Sequence, residues 1–133
     1  MSESVVYVDT AEVREGALEE LKGAIDELAE FIEANVPEIL AYHVYLSEDD
    51  GEMTVVHVHA DSASLDRHME VGGPAFRKFA DLLTLKSIRV YGEPSEWALG
   101  QLREKARSLG SGEVIVQVPH AGFSRLKPDA KLD

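Results

Sequence analysis

The hydrophobic period along this chain switches between two and 3.6 in the order strand, helix, strand, strand, helix, strand, and few folds accommodate that order. Val5-Val6-Tyr7-Val8 is a β-branched run that predicts a first strand, closed by Asp9-Thr10. Asp9 or Thr10 then reads as the cap of a helix reaching about Asn35, with Leu18, Leu21, Ile25, Leu28 and Ile32 on one stripe. Pro37 stops it. Residues 39–47 and 53–60 predict two strands around a hairpin turn with Asp50-Gly51 at its centre. Asp61-Ser62 caps a second helix, with Leu65, Met69, Phe76, Phe79 and Leu83 on its buried side and an interruption or kink at Gly72-Gly73-Pro74. Residues 84–91 complete the pattern as a fourth strand.

This order is the split βαβ arrangement, an α+β ferredoxin-like βαββαβ unit. It predicts an antiparallel sheet in the order 4-1-3-2 with both helices on one face. The opposite face needs a cover, and a second copy of the chain supplies one as a two-fold homodimer. The unit occupies residues 1–93. Residues 94–133 are an extension of the same domain: a helix opened by Pro94-Ser95, with Ala98, Leu102, Ala106 and Leu109 on one side, then Gly110-Ser111-Gly112, a fifth strand at 114–118 and a loose polar tail from Ser124. The Gly-Ser-Gly lead suits a strand exchanged onto the partner's sheet.

Composition removes several function classes. With no cysteine, thiolate zinc sites, iron–sulfur clusters and cysteine nucleophiles are excluded. Thirteen Lys+Arg against 25 Asp+Glu, a net charge of −12, argue against nucleic acid and anionic membranes as partners. No apolar run approaches the ~20 residues of a membrane span. The first residues show no basic and apolar leader, so the expected location is the cytoplasm. Glycine-rich phosphate loops, a nucleophile elbow and a glycosidase carboxylate pair are absent.

Alternation sorts each strand into two faces. If the apolar residues of strands two and three share a face, paired residue numbers sum to an even value of about 100. Val6, Val8, Tyr42, Val44, Leu46, Val56, Val58, Ile88 and Val90 then pack on the helices. Val5, Tyr7, His43, Tyr45, Val55, His57, His59, Ser87, Arg89 and Tyr91 fall on the other face. His43 lies opposite His57 at ~5 Å between Cβ atoms, with His59 diagonal. His43, His57 and His59, with Asp61 of the same parity, are therefore candidate ligands for a divalent zinc, copper or iron ion; a wet polar interface explains them equally.

His68 falls on or beside the buried side of helix two, away from that cluster, as either a satisfied helix-face histidine or a base facing a cavity. Tyr7, Tyr45, Arg89 and Tyr91 form a candidate binding set for an anionic or phenolic small molecule, or interface hydrogen bonds. Trp97 reads as a packing anchor for the extension.

From strand three into helix two the chain reads Val55-Val56-His57-Val58-His59-Ala60-Asp61-Ser62-Ala63-Ser64-Leu65-Asp66-Arg67-His68. With Phe76 and Phe79 ahead of strand four, this stretch resembles the antibiotic biosynthesis monooxygenase type of dimeric α/β-barrel domain, over about residues 4–93. The resemblance implies a ferredoxin-like protomer, a dimer whose sheets form a barrel, and His68 as the functional residue carried over. Members include cofactor-free monooxygenases of aromatic polyketides and quinols, and haem-degrading enzymes. The aromatic and amide partners of a haem-degrading site are not evident, and Asp66 and Arg67 stand near where an asparagine is wanted. The first reading is thus a cofactor-independent monooxygenase-like enzyme acting on a phenol or quinol, with no cofactor. The alternatives are a non-enzymatic ligand-binding or interaction module, and a histidine-ligated metalloprotein.

Overall fold

The computed structural model describes residues 4–47, 49, 51–110 and 113–125. Asp50 of the expected turn, Ser111 and Gly112 of the expected lead, and the tail beyond Arg125 lie outside the described residues. The elements run β1 (Val5–Val13), α1 (Leu18–Asn35), β2 (Ile39–Ser47), β3 (Glu52–His59), α2 (Ser62–Phe76), a short 3-10 turn (Arg77–Asp81), β4 (Leu83–Tyr91), α3 (Glu96–Leu109) and β5 (Val114–Gln117).

The sheet has the order β2-β3-β1-β4-β5, so its first four strands form the expected antiparallel ferredoxin-like ladder. β5 corrects one expectation: it pairs with β4 of its own sheet, in parallel. A parallel neighbour needs a crossover, and α3 is that crossover. Backbone contact closes it, because Gly110 bridges to Leu85 and a Cβ at Gly110 would overlap the Leu85 carbonyl oxygen.

A second correction concerns Asp9 and Thr10. They do not cap α1. β1 continues through them to Val13, and α1 begins only at Leu18. The third concerns α2, which runs unbroken through Gly72-Gly73-Pro74 and changes to the 3-10 turn after Phe76. Its cap is as expected: Asp61 accepts from the Ser64 N–H at 2.9 Å.

The most consequential correction is the facing of β1 and β3. The hairpin pairs Ser47 with Glu52 and Tyr42 with His57, so paired numbers sum to an odd value. His43 therefore sits opposite Val56, not opposite His57. Tyr42, Val44 and Leu46 of β2 do point toward the helices, as do Ile88 and Val90 of β4. Beside them, however, stand Val5, Tyr7, Asp9 and Ala11 of β1 and Met53, Val55, His57 and His59 of β3, all buried. Val6, Val8, Val56 and Val58 occupy the half-exposed outer face with His43, Tyr45, Arg89 and Tyr91. A register shift at Lys86 lets Leu85 and Ile88 both face inward.

Leu21, Leu28 and Ile32 of α1, Leu65, Met69 and Phe76 of α2, and Ala98, Leu102, Ala106 and Leu109 of α3 close over this inner face as one core. The apolar stripes read from helical spacing pack, except that Leu18 stays outside this core and Leu83 belongs to β4. Among the described residues, no helix is long and apolar enough to cross a membrane.

Candidate active site

β1, β2 and β3 run side by side, and at one level they carry Tyr7, Tyr42 and His57 as cross-strand neighbours. The rings of Tyr7 and His57 stack at 3.7 Å between centroids and 6° between planes. Tyr42 meets His57 edge-on at 5.1 Å. One level along, His59 also stacks parallel to Tyr7, at 6.1 Å. His68, from α2, closes the group from above, 5.2 Å from His57 and 5.1 Å from His59.

His57, His59 and His68 thus form one buried cluster, against the expectation that His68 stands apart. His43 does not join it, being exposed on the other side of the sheet. The trio His43, His57 and His59 cannot converge on one ion, and no group of three His, Cys, Asp or Glu among the described residues could hold a metal. The binding set divides in the same way. Tyr7 is fully buried inside, whereas Tyr45, Arg89 and Tyr91 lie on the outer face, with Tyr45 58% exposed. Trp97 is 48% exposed and borders a surface hollow with Ala63, Asp66, Arg67 and Glu70 of α2.

Hydrogen bonding assigns states within the cluster. His57 Nδ1 lies 3.1 Å from the Tyr7 carbonyl, which can only accept, so Nδ1 carries the proton and Nε2 is the basic nitrogen. His59 Nδ1 bonds the Ser64 hydroxyl at 2.8 Å. His59 Nε2 and both ring nitrogens of His68 are buried with no partner among the described residues. Leaving such groups unpaired costs ~1–3 kcal/mol each. Burial is the main cause that holds all three imidazoles neutral. It lowers His59 to about 4, and pushes His57 and His68 well below the ordinary histidine value, with the neighbouring imidazoles and Lys105 adding to the shift.

Two further charged groups were not legible as site residues. Asp9 of β1 and Lys105 of α3 form an ion pair at 2.7 Å, with side chains 5% and 7% exposed. The Lys105 ammonium also lies 3.9 Å from the centre of the Phe76 ring and 5.3 Å from that of Tyr7. Burial raises the Asp9 carboxyl and Lys105 opposes the rise. Tyr7 is pushed up by burial and then by the Asp9 charge, and Tyr42 likewise. Signals existed for both residues. Asp9 has the parity of Val5 and Tyr7, and Lys105 sits seven residues after Ala98 and three after Leu102, on the apolar stripe of α3.

A cavity of about 40 Å³ lies between the sheet and the helices, with Asp9, Tyr42, His57, Phe76, Phe79 and Lys105 among its walls. A dry cavity that takes up benzene is nearer ~150 Å³, so this space suits a few waters and an aromatic ring enters only if the walls part. His68 stands behind His57 and is not a wall residue.

The model of one protein family, antibiotic biosynthesis monooxygenase, matches residues 4–82. No curated protein sequence matches the chain. Among solved structures, MupZ from Pseudomonas fluorescens is 17% identical, with a TM-score of 0.71, over 92% of this chain and 95% of its own. SnoaB, a cofactor-independent oxygenase from Streptomyces nogalater, is 18% identical with a TM-score of 0.59, over 71% of this chain and 96% of its own. Rv0793 from Mycobacterium tuberculosis is 20% identical with a TM-score of 0.59, over 71% and 98%. At 92% of this chain, the MupZ likeness reaches into residues 94–133.

Proposed function

Because this chain belongs to the antibiotic biosynthesis monooxygenase family through residues 4–82, we propose that it is a cofactor-independent monooxygenase of a phenol- or quinol-type small molecule. The observation that carries the reading is a cluster of buried imidazoles, of which His57 lines a cavity beneath the helices while His59 and His68 behind it keep unpartnered nitrogens. The likeness to SnoaB, a cofactor-independent oxygenase, supports the same class.

In this reading the cluster takes a proton from an activated carbon of the substrate. His57 is the base at the cavity wall and acts through Nε2, with His68 behind it. The resulting carbanion passes one electron to dioxygen, and the two radicals combine to a peroxide. Loss of water then leaves a carbonyl on the substrate, so one oxygen atom ends in the product and the other in water. Desolvation by Phe76, Phe79 and Tyr42 keeps the imidazoles neutral and available. A bicyclic substrate enters by displacement of these walls.

The working unit in the proposal is a homodimer. Its support is the outer sheet face, where Val6, Val8, Val56 and Val58 form a half-exposed apolar strip across β1 and β3.

Oxygen consumption with anthrone-like and menadiol-like substrates tests the chemistry. Uptake is expected with the natural chain and loss of it in His57→Ala and His68→Ala. If a panel of such substrates gives no uptake above the His68→Ala control, the reading fails. Binding of the same compounds without uptake would make the protein a ligand-binding module.

A further inference from the structure

Asp9 and Lys105 lie 96 residues apart in the chain and meet inside the core. Taking two charges out of water is expensive, and a pair of well-packed apolar side chains does the same structural work at no worse stability. A purely structural pair should at least satisfy its own atoms. This one does not, because Asp9 Oδ2 takes the Lys105 bond while Oδ1 is buried with no partner among the described residues. Both residues are walls of the cavity. The pair also has one member in the matched family region and one beyond it, since Lys105 lies outside residues 4–82.

We propose that Asp9 and Lys105 form a proton-exchanging dyad that holds the hydroxyl of a phenol or enol ligand. The Asp9 Oδ1 accepts the hydroxyl proton, and the Lys105 ammonium holds the oxygen as it becomes anionic. One O–H bond breaks on the ligand and one forms on Asp9. The negative charge moves from carboxylate to ligand oxygen while Lys105 stays positive, so the net charge at the cavity is unchanged. That balance matters in a desolvated cavity, where creating a new uncompensated charge is the costly event. Burial raises the Asp9 carboxyl above its ordinary value, and Lys105 opposes the rise. Tyr42 and His57 are the other titratable walls, and both are neutral there.

The choice of ligand class rests on the oxygenase reading, but binding can be tested without turnover. The probe is 4-nitrophenol, at a pH where the free dye is ionised. Visible absorption reads whether the bound dye is phenolate. Titration calorimetry in buffers of different ionisation enthalpy reads protons taken up. The full chain should bind the dye as phenolate and take up one proton per dye, on Asp9. Asp9→Asn should bind phenolate with no proton uptake. The double variant Asp9→Asn with Lys105→Met, which leaves no buried charge unpaired, should lose the heat of binding, the dye staying free in solution. Failure of the full chain to bind overturns the proposal. So does identical behaviour of all three proteins, or proton uptake that survives Asp9→Asn and so belongs to His57. If the dye results hold and no substrate consumes oxygen, the oxygenase reading alone fails. If oxygen uptake is unchanged in the double variant, the dyad alone fails.

Discussion

The two faces of the sheet reverse what side-chain polarity suggests. The face under the helices carries Tyr7, Asp9, Tyr42, His57 and His59, four of them buried below 5% exposure. The outer face carries Val6, Val8, Val56 and Val58, half exposed. On transfer free energy alone the strands would turn the other way. The helices make the difference, because α1, α2 and α3 bring their apolar stripes and also His68 and Lys105 to the inner side. Buried polar groups there find ring stacking, an ion pair and backbone acceptors. The valines outside stay half exposed.

Removing one inner charge should have the largest effect. Lys105→Met leaves the Asp9 carboxylate buried without its cation, and a loss of about 3–5 kcal/mol is expected by urea or guanidinium unfolding. Adding Asp9→Asn to the same variant should recover most of that loss. Equal destabilisation of single and double variants would show that the charges are not the cause.

Acid should act next, and only through the inner face. His57, His59 and His68 bind protons less readily folded than unfolded. Well above a pH of about 6.5 they are neutral in both states and the linkage is silent. As pH falls, the unfolded chain takes up protons that the fold refuses, so stability is lost, and for His59 the loss is complete only near its folded value of about 4. That residue alone contributes on the order of 3 kcal/mol to the loss. Asp9 works the other way, since its raised carboxyl gains a proton more readily in the fold, but it is one group against three. The urea midpoint should therefore drop between pH 7.5 and 5, and a flat profile would count against the buried neutral cluster.

On the outer face, Val56→Lys should leave the unfolding free energy within about 1 kcal/mol of the parent, because the side chain reaches water. Sedimentation should show the proposed dimer weakened. An unchanged dimer would place its interface elsewhere. The smallest effect belongs to His43→Ala, within about 0.5 kcal/mol by urea unfolding, since His43 is exposed and apart from the cluster.

Much of this is legible in the chain alone. The spacing of Leu21, Leu28 and Ile32, of Leu65 and Met69, and of Ala98, Leu102, Ala106 and Leu109 marks the faces that pack. Asp61 and Ser95 announce helix starts, and each accepts a hydrogen bond from an N–H three residues on. The pairing of His57 with His59 on one strand face is legible too, but their meeting with His68 is not. Asp9 and Lys105 were hidden for a physical reason. A lone carboxylate ending an apolar run looks like a helix cap, and a lone lysine on an apolar stripe looks like a side chain that reaches out to water. Each makes sense only beside the other.

Local chain chemistry by itself determined the order of elements, the antiparallel ladder of the first four strands and which residues within a strand share a face. Those properties depend on periodicity and on turns of a few residues. Only the tertiary structure decided which face turns inward, that β5 joins its own sheet, that three histidines gather in one buried cluster, and that His57, Tyr42 and an ion pair meet at one cavity. Alternation is indifferent to a flip of the whole strand. The flip is settled by hairpin register and by what the helices present, which are interactions between residues far apart in the chain.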